Sequence, residues 1–598
     1  MPAAHAAIAP ATVIDGPASQ IRKFGGIDMA ADGTGAIAYS KQVGADEHVF
    51  VSRFNGTSWG APVEVDGTLS PDDPVSIQVA AGNGGRVVVT FVNLAGAASG
   101  ALESAVSQSS SSGFTLAPVD TSGTAIDDDL DMDPASGVAY VVYDVTGSHV
   151  MAQRWPGSGT AWSAVTVGAN PVLDATAGSA GTGDDGSRVV VDSAGNAVLA
   201  WPEGAATTNQ EAIARRVTGT SAAAPITLSA TTLGTHADVK ETNMIDMDGG
   251  GSANPWIVFR QGFDYGGGSI VVRNIARQLV GDTPSSPQVL DGLPIDPKPA
   301  EGAEHPRIDV NAAGQGLATT ARQLTNGVFG SALSAGAWST GFQLNSDTNS
   351  DVPLPVPAID NSGDGLIAWM DSGVDPKTAV ARTRIGGVLG SQVTLSISGK
   401  GNLGGIAGGK LIEASSSSAG LIGVGFAQGG ADGGSQRTIV AAMVDLRPGG
   451  GGGGGGGGGN GPTVSKLKFG KTTFRLGTKL PKFSRSAPVG TTIGFSVSEA
   501  SRTTFTFSKL TTGRKVGKRC LPATRRRAHK PRCTRAVAVK PSLVFTTSAG
   551  SHKLSFQGRL SRTKRLKPGH YRLTVVSTDS SGNASKPTSA TFTLLPAH

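Results

Sequence analysis

The sequence predicts an all-β protein in which an eight-bladed β-propeller is followed by a β-sandwich, with seven blades as the alternative count. Three observations support this prediction. A strand-rich unit recurs about every 55 residues before position 448, a run of eleven glycines follows at Gly449–Gly459, and short segments of alternating polar and apolar residues fill 463–598. Four short strands per repeat are typical of a propeller blade, and several alternating strands in a small domain are typical of a sandwich.

Composition excludes several other classes. Glycine accounts for 86 of the 598 residues, charged residues for 16% and aromatic residues for 5%. Helical bundles and coiled coils need long aliphatic and charged residues at helical periods, so the core must instead come from small and β-branched side chains joined by turns. No apolar run approaches the ~18 residues of a membrane-spanning helix.

Each repeat contains an apolar strand ending in Asp, a glycine turn, a second strand ending in an aromatic residue, a third strand, and a fourth ending near Pro. The second strands of eight copies end at positions 39, 91, 143, 201, 259, 321, 369 and 426. The last copy reaches the glycine run without a fourth strand. Because Ala9–Gly16 resembles the fourth strands elsewhere, we expect the N-terminal strand to complete the last blade.

These patterns divide the chain into four segments. Residues 1–7 contain Ala4-His5-Ala6, a small-x-small pattern, and are expected to be the remnant of a signal-peptide cleavage region or a disordered start. The propeller occupies 8–448 and the polyglycine linker 449–462. The linker is expected to stay flexible because glycine has the most backbone entropy to lose. The second domain spans 463–598.

Charge separates the two domains. Residues 463–598 contain 28 Lys and Arg against two acids, Glu499 and Asp579, whereas residues 1–462 contain 23 bases and 43 acids. An acidic body joined to a strongly basic domain indicates different partners for the two parts.

The repeat pattern resembles that of the secreted bacterial β-propellers related to the sialidase-like and Kelch-like families. The resemblance is architectural, because the sialidase motif Ser-x-Asp-x-Gly-x-x-Trp does not occur. Gly56-Thr57-Ser58-Trp59-Gly60 matches the Gly-x-Ser-x-Gly of serine hydrolases, but it lies between two predicted strands and not before a helix. No catalytic residue is predicted.

An acidic segment offers the one candidate metal site. Asp127, Asp128, Asp129, Asp131 and Asp133 provide enough carboxylate oxygens for calcium, and no other cofactor is predicted. The alternative is that they are turn carboxylates, since Asp131 occupies the repeat's ordinary Asp position, which is shared by Asp28, Asp192, Asp246, Asp309 and Asp360. His48 and His149 both open a third strand, so repeat structure explains them better than metal binding.

The basic domain alternates polar and apolar residues, as in Thr492–Val497 and Tyr571–Val576, and Leu566–Tyr571 has the pattern of a tyrosine corner. These segments, with Phe495–Ala500 and Gly513–Gly517, resemble the Ig-like, fibronectin-III-like domain common at the C-termini of exported proteins of high-GC Gram-positive bacteria. The resemblance implies an Ig-like β-sandwich and supplies no catalytic residues.

Two cysteines, Cys520 and Cys533, bracket a basic loop and cannot form a zinc site alone, so a disulfide is predicted. The candidate anion-binding residues of this loop are Arg525, Arg526, Arg527, Lys530 and Arg532. Anionic cell-envelope polymers are the favoured partner, a solvated basic surface is the alternative, and nucleic acid is disfavoured because no nucleic-acid module is recognisable.

The sequence therefore favours an exported, extracellular protein, associated with the cell envelope, that recognises or adheres to glycans or envelope polymers without catalysis. The alternative is a glycan-acting hydrolase or lyase whose residues lie on one propeller face. Because propellers support both classes, the fold alone does not choose between them.

Overall fold

The computed structural model shows an all-β protein, which confirms the predicted fold class. The described residues are 7–67, 69, 72–175, 186–204, 209–345, 353–404, 410–418, 420–429, 436–446, 463–477, 482–483, 490–497, 501–516, 519–547, 550–561, 564–578 and 585–596. The chain divides into two compact units, Met1–Gly451 and Gly452–His598. The predicted glycine linker at 449–462 lies outside the described residues, as do residues 1–6 of the predicted N-terminal segment.

The first unit begins with two short strands and a four-stranded antiparallel sheet. The two strands are β1 (Ala7–Ile8) and β2 (Thr12–Ala18). The first sheet follows in the order β3 (Ile21–Met29), β4 (Gly35–Val43), β5 (Asp46–Phe54) and β6 (Val63–Glu64).

The second sheet contains two sets of four strands. The first set is β7 (Pro74–Gly82), β8 (Arg86–Asn93), β9 (Gly100–Ser107) and β10 (Thr115–Leu116). The second set is β11 (Asp120–Met132), β12 (Ala139–Val145), β13 (His149–Trp155) and β14 (Ser163–Ala164). The long β11 joins them, because its first residues pair with β9 and its later residues with β12.

The next three sheets repeat the antiparallel pattern. The third contains β15 (Arg188–Val191), β16 (Ala197–Glu203), β17 (Glu211–Thr218), β18 (Ser221–Ala222) and β19 (Ile226–Thr227). The fourth contains β20 (Thr232–Leu233), β21 (His236–Asp248), β22 (Trp256–Asp264), β23 (Ile270–Val280), β24 (Thr283–Pro284) and β25 (Gln288–Val289). The fifth contains β26 (Ala303–Val310), β27 (Gly316–Arg322), β28 (Val328–Ser334), β29 (Ala337–Trp338) and β30 (Phe342–Gln343).

The last two sheets bring the chain back to its start. The sixth contains β31 (Val356–Ile359), β32 (Gly365–Asp371), β33 (Thr378–Ile385), β34 (Val388–Leu389) and β35 (Val393–Thr394). The seventh contains β36 (Ile412–Ser416), β37 (Leu421–Gln428) and β38 (Arg437–Asp445), and both β1 and β2 pair with β38.

The N-terminal strand β2 thus supplies the outer neighbour of β38. Val13 lies opposite Val440 in this antiparallel pairing. Asp15 of the same strand accepts a hydrogen bond from the Tyr39 hydroxyl at 2.6 Å and forms an ion pair with Lys41 Nζ at 2.9 Å. The two ends of the unit are therefore joined by backbone pairing and by polar contacts to the first sheet.

Neighbouring sheets pack face to face through apolar clusters, and the sequence of clusters returns to its start. Trp201 of the third sheet packs with Tyr140 of the second. Phe24 of the first sheet packs with Ile439 of the seventh. The second strands lie at the centre of this packing, and every residue of β12 is buried. The sheets therefore form a closed, propeller-like ring.

Half-buried aspartates link the innermost strand of one set of strands to the innermost strand of the next set. Asp28 accepts the Ala81 N–H at 2.7 Å, and Asp131 accepts the Val191 N–H at 2.6 Å. Asp248 and Asp309 do the same for Val310 and Ile359. We call the four acceptors the clamp residues: Asp28, Asp131, Asp248 and Asp309.

The second unit contains two sheets around one core. One sheet has the order β39 (Val464–Phe469), β42 (Thr491–Val497), β46 (Gly550–Phe556) and β41 (Lys482–Phe483). The other contains β40 (Thr473–Arg475), β48 (Thr588–Leu595), β47 (Gly569–Thr578), β43 (Ser501–Val516) and β44 (Arg519–Pro522), with β45 (Arg532–Thr547) on β43. Phe495 of one sheet and Phe507 of the other belong to the shared core. The Tyr571 hydroxyl donates to the Lys567 carbonyl at 2.6 Å, which is the contact of a tyrosine corner.

Candidate functional site

A cavity of about 810 Å³ lies at the centre of the first unit. Its wall is built from the innermost strands or the residues just before them, at β3, β7, β11, β15, β21, β26, β31 and β36. This volume falls within the range of small-molecule sites, and the lining mixes apolar side chains with ionisable ones. The cavity is therefore the candidate functional site.

Irregular backbone turns side chains toward this cavity. The pairing register shifts at a β-bulge in β7, β21 and β26. Beside these bulges Ser76, Met244 and His305 have φ values of 50°, 53° and 50°. Non-glycine residues rarely adopt such angles, and bulges re-aim side chains next to functional sites. Of these three residues, Ser76 and His305 line the cavity.

Four adjacent inner strands carry alternating charges into the cavity. They present Asp129 on β11, Arg188 on β15, Asp246 on β21 and Arg307 on β26. We call these four residues the charged arc. Three of its members, Asp129, Asp246 and Arg307, each lie two positions before a clamp residue.

Arg188 occupies the same place on β15. The residues one and three positions after it, Val189 and Val191, donate N–H groups to Asp129 and Asp131. The residues one and three positions after Arg307 donate in the same way to Asp246 and Asp248. The charged arc is therefore a single structural position repeated on consecutive strands.

Asp246 interacts electrostatically with the other three members of the charged arc. Burial raises the pKa of its carboxyl to about 6, and Arg307 and Arg188 oppose that shift. Asp246 Oδ2 also accepts the Ile308 N–H at 2.9 Å. A carboxyl with this pKa exchanges its proton near neutral pH, which is the property required of a general acid or base.

Asp128 differs from Asp246 in its burial. Its Oδ2 accepts the Thr90 hydroxyl at 2.5 Å, and its residue is only 4% exposed. Burial raises the pKa of Asp128 well above its usual range. Asp127 beside it accepts a hydrogen bond from the Ser76 hydroxyl. On the opposite side of the cavity wall, Lys410 Nζ lies 3.4 Å from Glu413 Oε1.

The predicted calcium ligands separate into two groups. Asp127, Asp128 and Asp129 line the cavity. Asp131 instead bonds to Val191 N–H and Met132 N–H, and Asp133 bonds to the turn that follows it. The first three carboxylates are thus brought to one cavity, whereas the last two are committed to backbone N–H groups. Calcium binding at the first three remains a prediction.

The repeat's Asp position proved to have two roles. Asp192 and Asp360 accept N–H groups of their own turns, as the sequence predicts, at 2.9 Å from Ala194 and 2.9 Å from Ser362. For Asp28, Asp131 and Asp309 the turn assignment was wrong, because the Oδ2 atom of each accepts a backbone N–H of the next inner strand. The sequence pattern alone does not show whether an aspartate lies close enough to a neighbouring strand to accept its backbone N–H.

In the second unit the disulfide between Cys520 and Cys533 is confirmed, with the two Cα atoms 6.0 Å apart. It holds a loop containing a short 3-10 turn, Arg525–Arg527. Arg525, Arg526, Lys530 and Arg532 are exposed and Arg527 is half-buried. The predicted anion-binding residues therefore lie on one constrained loop; their binding of anions remains a prediction.

Sequence reasoning missed Arg188, His305, Arg307, Lys410 and Glu413, all of which line the cavity. A usable signal existed at three of them, because Arg188, Arg307 and Glu413 each lie two residues before the clamp position of their strand, which Ser415 occupies on β36. The residue type at that position varies, from Gly26 and Gln78 to the acids and arginines of the charged arc. The position therefore has no recognisable sequence motif.

The sequence matches no known family pattern, and a search of curated proteins finds no match. Among solved structures it is similar to an ulvan lyase bound to a GlcA–Rha3S saccharide, at 10% identity over 72% of this chain and 98% of that chain, TM-score 0.37. It is also similar to the α-L-arabinanase of Penicillium chrysogenum complexed with arabinobiose, at 12% identity over 63% and 94%, TM-score 0.34.

A third similar structure is the six-bladed fucose lectin of Aleuria aurantia, at 13% identity over 55% of this chain and 100% of that chain, TM-score 0.29. At such identities and TM-scores these likenesses carry no argument about what this chain binds. No helix among the described residues is long and apolar enough to cross a membrane.

Proposed function

We propose that this chain is an exported recognition protein that binds a glycan in the central cavity of its first unit. The charged arc carries the proposal. Asp129, Arg188, Asp246 and Arg307 offer carboxylates and guanidinium groups side by side on four adjacent strands.

Sugar hydroxyls suit such a surface because each hydroxyl both donates and accepts hydrogen bonds. A carboxylate accepts from a hydroxyl, while a guanidinium donates to its oxygen through up to five N–H groups. Guanidinium groups also bind the carboxylate of a uronic acid with two parallel hydrogen bonds. An oligosaccharide with hydroxyl and carboxylate groups can therefore bind both the aspartates and the arginines of the charged arc.

The test is binding of the full chain to an array of neutral and uronic-acid oligosaccharides. We expect the wild type to retain at least one glycan and Arg188→Gln to lose it by about tenfold or more, as expected for a lost charge-assisted contact. Arg384→Gln, on the third strand of the sixth sheet, is the matched control and should bind as the wild type does. Equal binding by Arg188→Gln would refute the proposed site.

A second candidate is a glycan-acting hydrolase or lyase at the same cavity. The observation in its favour is Asp246, whose pKa of about 6 suits proton transfer near neutral pH. Incubation of the glycan captured on the array with the full chain, followed by chromatography of the products, separates the two functions. Turnover that Asp246→Asn abolishes would favour the enzyme, whereas binding without turnover favours the recognition protein.

For the second unit we propose contact with anionic cell-envelope polymers through the loop between Cys520 and Cys533. Its support is the exposure of four cationic side chains on one disulfide-closed loop. Such contacts weaken as salt rises, because mobile ions screen exposed charges. Co-sedimentation of the full chain with envelopes should fall with salt, and should fall further when Arg525, Arg526 and Arg532 are changed to Ser.

The architecture behind this proposal is an eight-bladed propeller followed by an Ig-like sandwich. Eight blades follow if the second sheet, with its two sets of four strands, counts as two. An extracellular location agrees with the disulfide, since such bonds persist in oxidising compartments. Detection of the intact disulfide in protein recovered from culture medium would test that location.

A further inference from the structure

Four ionisable side chains meet where the chain passes from the first sheet to the second. His48 lies on β5, Glu64 on β6, Asp66 just after β6 and Asp72 just before β7. We call them the corner cluster. His48 Nδ1 is 3.3 Å from Asp66 Oδ1 and 3.6 Å from Asp72 Oδ2. One ligand-type atom from each of His48, Glu64 and Asp66 lies within 4.8 Å of the others.

Several atoms of the corner cluster are buried without a hydrogen-bond partner in the described part of the chain. They are His48 Nδ1, Asp66 Oδ1 and both carboxylate oxygens of Asp72. The side chains of Asp66 and Asp72 are 0% exposed, while 10% of the His48 side chain remains accessible. Because burying unpaired polar atoms is costly, their convergence at one point indicates a shared ligand.

Negative charge dominates this corner. Asp46 and Glu47 add further carboxylates close to Asp66 and Asp72. The nearby cation Lys23 contacts Glu47 at 2.7 Å and Asp73 at 3.2 Å. A cation between Asp66 and Asp72 would offset the repulsion between their carboxylates.

The described part of the third repeat contains a similar pair of a histidine and an aspartate. His149 opens β13, and Asp174 takes the place of Asp66; each Asp accepts the backbone N–H of the residue after the histidine, at 2.8 and 2.6 Å. There the His149 Nδ1 lies 2.9 Å from Asp174 Oδ2, a normal hydrogen-bond distance. The spacing between His48 and Asp66 is therefore wider than the pairing in the third repeat requires.

We propose that the corner cluster binds one divalent transition-metal ion, with zinc as the ion that fits its ligands. Tetrahedral zinc bound to imidazole and carboxylate at about 2.0–2.2 Å places its ligand atoms about 3.4 Å apart. The 3.3 and 3.6 Å separations at His48 agree with that spacing. An imidazole ligand favours zinc over calcium, which takes oxygen ligands.

The assigned role is structural. The ligands come from two strands of the first sheet and from the segment that leads into β7, so the ion would fix the connection between the first and second sheets. The partly accessible His48 offers a path for the ion from solvent.

The test uses the full chain stripped of metal with EDTA and titrated with ZnCl₂ by calorimetry, with thermal unfolding followed in parallel. We expect one equivalent of zinc to bind and the melting temperature of the first unit to rise with zinc concentration, since a ligand specific to the folded state stabilises it. Asp72→Asn, which keeps the side-chain volume, should weaken binding by about 100-fold or more. His149→Gln is the matched control and should bind zinc as the wild type does.

Cobalt substitution provides a second measurement that does not depend on stability. Co²⁺ in the wild type should show the intense visible absorption of a tetrahedral site, and His48→Gln should lose it. The proposal is overturned if the wild type takes up no zinc, if Asp72→Asn binds zinc with wild-type affinity, or if calcium displaces zinc from the cluster.

Discussion

On three inner strands a clamp residue lies two positions after a member of the charged arc, and on β26 the two residues make different contacts. Asp309 accepts the Ile359 N–H at 2.7 Å and ties β26 to β31, whereas Arg307 lines the cavity. Side chains two apart along a strand share a face, but the first reaches the neighbouring backbone and the second the open centre. At Arg307 and Asp309 the lining of the cavity and the bond between strands are therefore separated by two residues, and substitutions at these two positions should have separable effects.

The largest effect is expected at a clamp residue. Asp131→Ala leaves the buried N–H groups of Val191 and Met132 without their acceptor, which should lower the free energy of unfolding by about 2–4 kcal/mol. Urea denaturation measures the loss. Arg188→Gln in the charged arc is the comparison and should change the free energy of unfolding by less than about 1 kcal/mol. Equal losses would mean that the two positions are not separable.

A smaller loss of stability is expected where the seventh sheet meets the first. At this junction the Ser415 hydroxyl accepts the Met29 N–H at 3.0 Å. Here Asp15 of the closing strand adds contacts to Tyr39 and Lys41. Burial raises the pKa of Asp15, but those hydrogen bonds outweigh it and the pKa is lowered overall.

Asp15→Asn should therefore lower the free energy of unfolding by about 1 kcal/mol at neutral pH. Because a lowered carboxyl pKa stabilises the fold above the unfolded value, this difference should disappear as pH falls below about 4. A difference that persists unchanged in acid would contradict the ionic account of the closing contact. Thermal unfolding of both proteins across pH is the measurement.

A pH dependence with the opposite sign is expected at Asp144. Burial raises the pKa of Asp144 to about 7, although Ser187 donates to its carboxylate at 2.5 Å. The unfolded carboxyl ionises near pH 3.9, so the folded state binds more protons between about pH 4 and pH 7 and its stability falls as pH rises through that window.

Asp144→Asn removes this titration. The fall in unfolding free energy between about pH 4 and pH 7 should therefore be smaller in the variant, by about 4 kcal/mol over the window, since each pKa unit corresponds to about 1.4 kcal/mol. Urea denaturation at both ends of the window tests it. Parallel slopes would show that Asp144 is ionised in the folded protein throughout.

The repeat and the disulfide could be predicted because they depend on local chemistry. Alternation and turn residues mark the strands, and two isolated cysteines leave one pairing. The closing strand was recognisable because Ala9–Gly16 has the composition of the fourth strands, and β2 pairs with β38.

The site could not be predicted in the same way, because it depends on which strands meet at the centre. Arg188 and Arg307 are more than 100 positions apart in sequence and become neighbours of Asp246 only when the sheets close into a ring. His48 was assigned to repeat structure because His149 shares its place, and that comparison gave no weight to Asp72, which lies beyond the repeat's fourth strand. Long-range proximity was the missing information.

The most direct test of the account compares two substitutions two residues apart, Arg307→Gln and Asp309→Ala, in the full chain. For each, affinity for the oligosaccharide retained by the wild type and the free energy of unfolding are measured on the same preparation. The account predicts that Arg307→Gln loses affinity by about tenfold or more and keeps wild-type stability, while Asp309→Ala loses about 2 kcal/mol or more and keeps its affinity. Loss of both properties in both variants, or retained affinity in Arg307→Gln, would contradict it.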